Sequence, residues 1–299
     1  MISGRHAVLA FLGSGLLFAQ AGGYPVLREL HPFPYSRFFI PNGAERRTSV
    51  VMLHGSEGGS VPYLESEAAI LASQGFAVLV LCYFDCGRGL AGVRQTLRDV
   101  DVSLVHRATA WLRSLPESDG KVVVYGFSRG AELALIAGGA SGTDAERPDA
   151  LVVHSPSDLH NSFFNWSWRD AACWLCRAGQ GNCARDAPRA AFVWNIGCGP
   201  DDETRMDFSQ SAWRVDGSIV RAGTRIPVER FPGPTMITVG EQDEVWPVSQ
   251  TRRIEAALRA FGREPEVHYF PEGGHVFGYA GENERRRLVL EFLRKIRGG

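Results

Sequence analysis

Val122-Val123-Val124-Tyr125-Gly126-Phe127-Ser128-Arg129-Gly130-Ala131-Glu132-Leu133 reads as a buried strand, a tight turn and a helix. Apolar strand formers precede Gly126, and an alanine-rich run with helical spacing follows Gly130. A Gly-x-Ser-x-Gly at such a junction is a nucleophile elbow pattern. The serine takes a strained backbone there, and the glycines on either side avoid clashes with the neighbouring strand and helix. The helix beginning at Arg129 turns its positive end toward Ser128, where an oxyanion would develop. The bland alternative is an ordinary strand–helix turn with an N-cap serine. The pattern occurs once in the chain, in the strand–turn–helix context that the elbow requires.

Outward from this stretch, short apolar runs at 48–53, 76–81, 121–125, 150–153, 235–239 and 267–270 read as buried strands. Helical spacing separates them at 63–73, 97–115, 131–138, 251–261 and 284–296. Alternation of this kind predicts an α/β fold, a mostly parallel sheet flanked by helices. It breaks between Ser155 and Pro234, a segment rich in Gly, Pro, Asp and Arg that holds five of the seven tryptophans and four cysteines. A stretch this long is usually functional, and residues 156–233 are expected to form a Cys/Trp-rich insertion, a lid over the carboxyl edge of the sheet.

Three further loops follow predicted strands. His54-Gly55-Ser56-Glu57-Gly58-Gly59 can aim a backbone N–H into a site; Ser56 is the first choice of donor, Glu57 the next, and Arg129 N–H the partner. As a phosphate-binding loop it fits poorly, since no Lys-Ser or Lys-Thr follows and the spacing matches neither common nucleotide fingerprint. Gly240-Glu241-Gln242-Asp243-Glu244 places Asp243 at a strand's carboxyl end, with Glu241 and Glu244 as competitors. Gly273-Gly274-His275 follows the last strand, and the order Ser128, Asp243, His275 fits a triad in which His275 is the base and Asp243 orients it. His154 reads as a packing or hydrogen-bonding residue and His106 as a surface one.

Tyr83-Phe84, Gly126–Leu135, Ser155-Pro156-Ser157, Ser211-Ala212-Trp213, Ile226-Pro227-Val228-Glu229 and Gly240–Pro247 occur in this order. The set resembles the C-terminal catalytic domain of acyl-CoA thioesterases and bile acid-CoA:amino acid N-acyltransferases, together with stand-alone bacterial relatives akin to dienelactone hydrolase. The resemblance spans roughly residues 48–297. It implies an α/β-hydrolase fold and a nucleophile–Asp–His triad acting on esters or thioesters, carried here by Ser128, Asp243 and His275. Serine at the nucleophile favours hydrolysis over amino-acid conjugation. The stretch from Cys173 to Cys198 has no counterpart in the pattern.

The N-terminus has a different character. Arg5 and His6 precede an apolar run over residues 7–19, followed by Ala19-Gln20-Ala21. Residues 1–21 are expected to be a signal peptide, too short for a stable membrane span, and residues 22–299 the hydrolase domain. The chain is then exported, periplasmic or secreted, which puts cytosolic acyl-CoA out of reach and favours a small-molecule acyl ester or thioester in general. Six cysteines in an exported chain suggest disulfides: Cys82 with Cys86 as a local pair, and Cys173, Cys176, Cys183 and Cys198 as a cluster. Four zinc thiolates are the alternative for that cluster. With 32 basic and 33 acidic residues the charge is nearly balanced, and no basic patch points to nucleic acid. No cofactor or catalytic metal is expected. The competing functions are an acyltransferase using the same acyl-enzyme and a catalytically inactive secreted binding protein.

Overall fold

The computed structural model describes residues 25–43, 45–59, 62–86, 96–163 and 209–298. Residues 1–21, where a signal peptide is expected, the central part of the insertion, and Cys173, Cys176, Cys183 and Cys198 lie outside the described residues.

An antiparallel pair, β1 (Pro25–Arg28) and β2 (Arg37–Pro41), opens the described chain. Next come β3 (Arg47–Leu53), α1 (Pro62–Ser73), β4 (Ala77–Leu81), the two-residue β5 (Val100–Asp101) and α2 (Ser103–Ser114). The elbow strand β6 (Ser118–Phe127), α3 (Arg129–Gly139) and β7 (Ala150–His154) follow. A hairpin of β8 (Gln210–Val215) and β9 (Ser218–Arg221) precedes β10 (Thr235–Gly240), α4 (Val248–Ala260), β11 (Glu266–Phe270) and α5 (Tyr279–Gly298). Eight strands form one sheet in the order β1-β2-β4-β3-β6-β7-β10-β11, parallel from β4 onward.

Alternation along each strand builds a core on both faces of this sheet. Val50 and Met52 of β3 point with Val123 and Tyr125 toward α1 and α5, where Leu64, Leu71, Val289 and Phe292 cover them. Val51 and Leu53 point the other way with Val122 and Val124, under Val105, Leu112, Leu133 and Ile254 of α2, α3 and α4. Both faces are dry, so the strands read as continuous apolar runs, as in a covered parallel sheet. The register brings the carboxyl ends together: Leu53 lies opposite Gly126, Phe127 opposite His154, and Gly240 opposite Phe270. The loops after β3, β6, β10 and β11 therefore share one edge, where α/β sheets assemble their sites.

Three expectations are corrected. The helix expected over 97–115 begins only at Ser103, because Val100 and Asp101 instead pair with Trp213 and Arg214 of β8. Asp101 then accepts a hydrogen bond from Ser103 N–H at 2.9 Å, opening α2. His106 is not a surface residue: it is buried between α2 and α3, its Nε2 2.9 Å from the Ala137 carbonyl. The 155–234 segment, which shows no strand–helix unit in its sequence, contributes β8 and β9 to a second, three-stranded sheet. Its turn is Asp216-Gly217, with φ of 49° and 77°, the left-handed pair that a two-residue hairpin loop requires. Isolated bridges Leu159–Arg225 and Ser162–Ser211 join the outgoing and returning parts of this segment.

Candidate active site

The chain turns at Ser128 with φ 51° and ψ −114°, a conformation that L-residues rarely adopt. Neighbouring backbone forces the glycines beside it. A Cβ on Gly126 would strike the Gly130 carbonyl, and one on Gly130 would strike the carbonyls of Leu53 and His54. Ser128 N–H donates to the His154 carbonyl at 2.9 Å, extending the β6–β7 ladder by one bond and holding the turn.

Ser128, His275 and Asp243 come together in one hydrogen-bonded line. Ser128 Oγ lies 2.8 Å from His275 Nε2, and His275 Nδ1 lies 2.9 and 3.0 Å from the two oxygens of Asp243. Asp243 Oδ1 also accepts the N–H groups of Val245 (2.8 Å) and Trp246 (2.7 Å), so the carboxylate is fixed before it meets the imidazole. The competing acids have other partners. Glu241 faces Arg252 at 3.2 Å on the surface, while Glu244 accepts the backbone N–H of His275 at 3.0 Å. Ser155, itself at φ 47°, donates its hydroxyl to the His275 carbonyl at 3.1 Å. The ring, N–H and carbonyl of His275 are thus each held by a different residue. Sequence reasoning did not find the parts played by Glu244 and Ser155, since both act on main-chain atoms of His275, a contact that no residue pattern encodes.

The loop after β3 approaches Ser128 closely: a Cβ on Gly55 would lie 3.2 Å from Ser128 Cβ. Gly55 N–H donates to Glu57 Oε1, Gly58 N–H to the Gly55 carbonyl and Gly59 N–H to the Phe84 carbonyl. The N–H groups of Ser56 and Glu57 make no hydrogen bond among the described residues. His54 anchors the loop beneath them. Its ring stacks on Tyr83 at 4.0 Å, its Nδ1 is 3.0 Å from the Gly55 carbonyl, and Tyr83 OH donates to the His54 carbonyl at 2.5 Å. Tyr83 N–H approaches Nε2 at 3.4 Å, which makes Nδ1 the protonated nitrogen. Burial holds the imidazole neutral, its pKa pushed down to about 3. Cys82 and Cys86 flank this support with Cα atoms 5.7 Å apart, within disulfide reach.

Arg129, which supplies the first N–H of α3, has a fully buried side chain. Its guanidinium pairs with the equally buried Glu132 at 3.3 Å, lies over the Trp213 ring at 5.2 Å and donates to the carbonyls of Asn161 (3.2 Å) and Ser162 (2.9 Å). Glu132 in turn accepts Asn161 N–H at 2.7 Å, Asn161 Nδ2 at 2.9 Å and Trp213 Nε1. Burial pushes the Glu132 carboxyl upward while Arg129 pulls it back. The pair ties the helix that follows Ser128 to both ends of the inserted segment. Removing one partner strands the other in a dry site, so Glu132→Ala is expected to cost about 3–5 kcal/mol in urea unfolding. An unchanged urea midpoint would refute this role for the pair.

Among the described residues no group of three or more His, Cys, Asp or Glu is placed to hold a metal ion, and no helix is long and apolar enough to cross a membrane.

The alpha/beta hydrolase family model matches residues 50–289. Among curated proteins, the chain is 27% identical over 245 residues to acyl-coenzyme A thioesterase 6 of Mus musculus, covering 79% of this chain and 50% of the thioesterase. The chain spans about half the length of the curated relatives it matches. A putative dienelactone hydrolase from Klebsiella pneumoniae superposes with a TM-score of 0.54 at 12% identity, covering 87% of this chain and 92% of that one. The propionate-bound esterase 2 of Thermogutta terrifontis superposes with a TM-score of 0.53 at 16% identity, covering 93% and 96%. At these identities the structural likeness speaks for the fold alone.

Proposed function

The chain belongs to the alpha/beta hydrolase family, and from that premise we propose that it hydrolyses a carboxylic ester or thioester through an acyl-enzyme on Ser128. The carrying observation is the Ser128–His275–Asp243 line at the carboxyl edge of the sheet, with the serine presented on a strained turn. Ser128 Oγ attacks the acyl carbon while His275 Nε2 takes its proton. The tetrahedral oxyanion faces the Ser56 and Arg129 N–H groups, each donor worth about 3–4 kcal/mol. His275 then returns the proton to the departing alcohol or thiol, leaving the acyl group on Ser128. A water, deprotonated by the same imidazole, attacks that ester and releases the free acid. Asp243 fixes the proton on Nδ1 and stabilises the imidazolium.

The thioesterase relatives extend the substrate range to thioesters. Export, supported by the basic and apolar segment ending in Ala19-Gln20-Ala21, would make an extracytoplasmic ester the working substrate and Cys82–Cys86 a disulfide. The test is a matched series of oxygen esters and thioesters of rising acyl length, with product analysis in the presence of amine and alcohol acceptors. Free acid as the product supports hydrolysis. Acyl transfer to the acceptor would replace it with transferase chemistry, and no turnover together with no labelling by a fluorophosphonate would overturn both.

A further inference from the structure

Resting on the role of Ser128 above, we propose that Glu57 and Tyr63 form a subsite beside the nucleophile for a hydrogen-bond-donating group of the substrate, an ammonium or a hydroxyl. A Cβ built on Gly55 would strike Glu57 Oε2 and lie 3.2 Å from Ser128 Cβ, so carboxylate and nucleophile converge on the same small space. One oxygen of that carboxylate is committed: Glu57 Oε1 accepts Gly55 N–H at 2.7 Å and Tyr63 OH at 2.6 Å. The other, Oε2, has no hydrogen-bond partner among the described residues and is not sealed from solvent. Tyr63 is 47% exposed and stands edge-on to Phe127, with ring centroids 6.0 Å apart, which adds aromatic surface next to the carboxylate.

No cation of the described residues pairs with Glu57. Arg129 is occupied by Glu132 at 3.3 Å. Arg285, whose guanidinium lies 5.1 Å from the Phe127 ring centroid, is shared between Glu67 and Glu282 at 3.3 and 2.6 Å. An uncompensated carboxylate so close to a developing oxyanion opposes the reaction of a wholly apolar ester. A substrate that brings its own ammonium or hydroxyl to Oε2 removes that opposition and gains a charge-assisted hydrogen bond. Glu57 is thereby a specificity determinant that selects donor-bearing esters over their apolar isosteres and disfavours anionic ones.

The test uses two isosteric pairs, near neutral pH with glycine methyl ester protonated. Glycine methyl ester against methyl propionate places the donor on the acyl side; 2-hydroxyethyl acetate against propyl acetate places it on the alcohol side. Each pair is read as a ratio of kcat/KM in wild type divided by the same ratio in Glu57→Gln, which cancels intrinsic reactivity. The glutamine keeps an oxygen for Gly55 N–H and Tyr63 OH, and thermal melting checks the fold. In at least one pair the variant is expected to lower the donor-to-isostere ratio by about ten- to a hundredfold, the range of hydrogen bonds to a charged group. The apolar member is expected to become faster. Tyr63→Phe, which releases one of the two holds on Oε1, shifts the same ratio in the same direction by a smaller factor. Where turnover of an ester is slow, its ranking is read from competition against fluorophosphonate labelling of Ser128. Ratios unmoved in both pairs by both variants overturn the subsite and leave the hydrolase reading standing. A wild type that neither turns over these esters nor takes the fluorophosphonate overturns both.

Discussion

Replacing Ser128 by alanine is expected to lower kcat/KM on any ester substrate by about ten-thousandfold or more and to abolish fluorophosphonate labelling. The folded structure should hardly notice. Ser128 Oγ makes its hydrogen bond to His275, and the turn itself is held by Ser128 N–H on the His154 carbonyl. Alanine carries the same Cβ at φ 51°, so the strain is unchanged. Ser128→Gly, which relieves that strain, is expected to melt higher than Ser128→Ala, a shift on the order of 1 kcal/mol. Together the two variants separate chemistry from architecture: both inactive, one more stable. Ester turnover that survives in Ser128→Ala would sink the acyl-enzyme.

The second large effect is acid lability. His54, His154 and His160 are buried, and burial is the main cause that pushes their pKa values down to about 3, 3 and 4. In the unfolded chain each titrates near 6.5, so below that pH the unfolded state binds protons that the folded state refuses. Stability from these groups is full above pH about 6.5 and is lost as pH falls toward the folded values, at about 1.4 kcal/mol per pH unit for each histidine. Glu282, which burial raises to about 6, runs in the opposite sense and trims the loss. Between pH 7 and pH 5 the net loss is expected to be about 4 kcal/mol, a large part of a typical domain's stability. Urea midpoints at the two pH values measure it, and His154→Gln should flatten the dependence. Equal midpoints for the parent at pH 5 and pH 7 would show that these imidazoles are accessible to solvent protons.

The sheet was legible because its central strands are covered on both faces and its turns carry glycine. Val122–Gly130 contains strand, turn and helix start in nine residues, and the backbone clashes that a Cβ would meet at Gly126 and Gly130 are the reason for the pattern. What was missed has physical causes. The segment 97–101 has helical spacing, but Val100 gains more from pairing with Trp213, a partner over a hundred residues away that local periodicity does not register. His106 looked exposed because its neighbour α3 is not visible from α2 alone. The β8–β9 hairpin does carry a local signal, Asp216-Gly217 between the two strands, but it sits in a stretch whose Gly, Pro, Cys and Trp content obscures any strand pattern. At the site, Asp243 is separated from Glu241 and Glu244 only by geometry: the three are close in sequence, and one alone reaches the imidazole.

The bridge between Ser162 and Ser211 fixes where the inserted chain leaves the hydrolase frame and where it returns. Ala212 N–H on the Asn161 carbonyl at 2.9 Å and the Glu132 contacts to Asn161 and Trp213 secure both points independently of what runs between them. Closing a loop across a prepared gap costs only about 0.6 kcal/mol more for each doubling of its length. The frame can therefore accept cassettes of very different size and composition at this position. Exchange of that cassette leaves the Ser128–His275–Asp243 line untouched, since none of the three residues lies between the two secured points, and this makes the junction a natural place for the chain to grow or shrink.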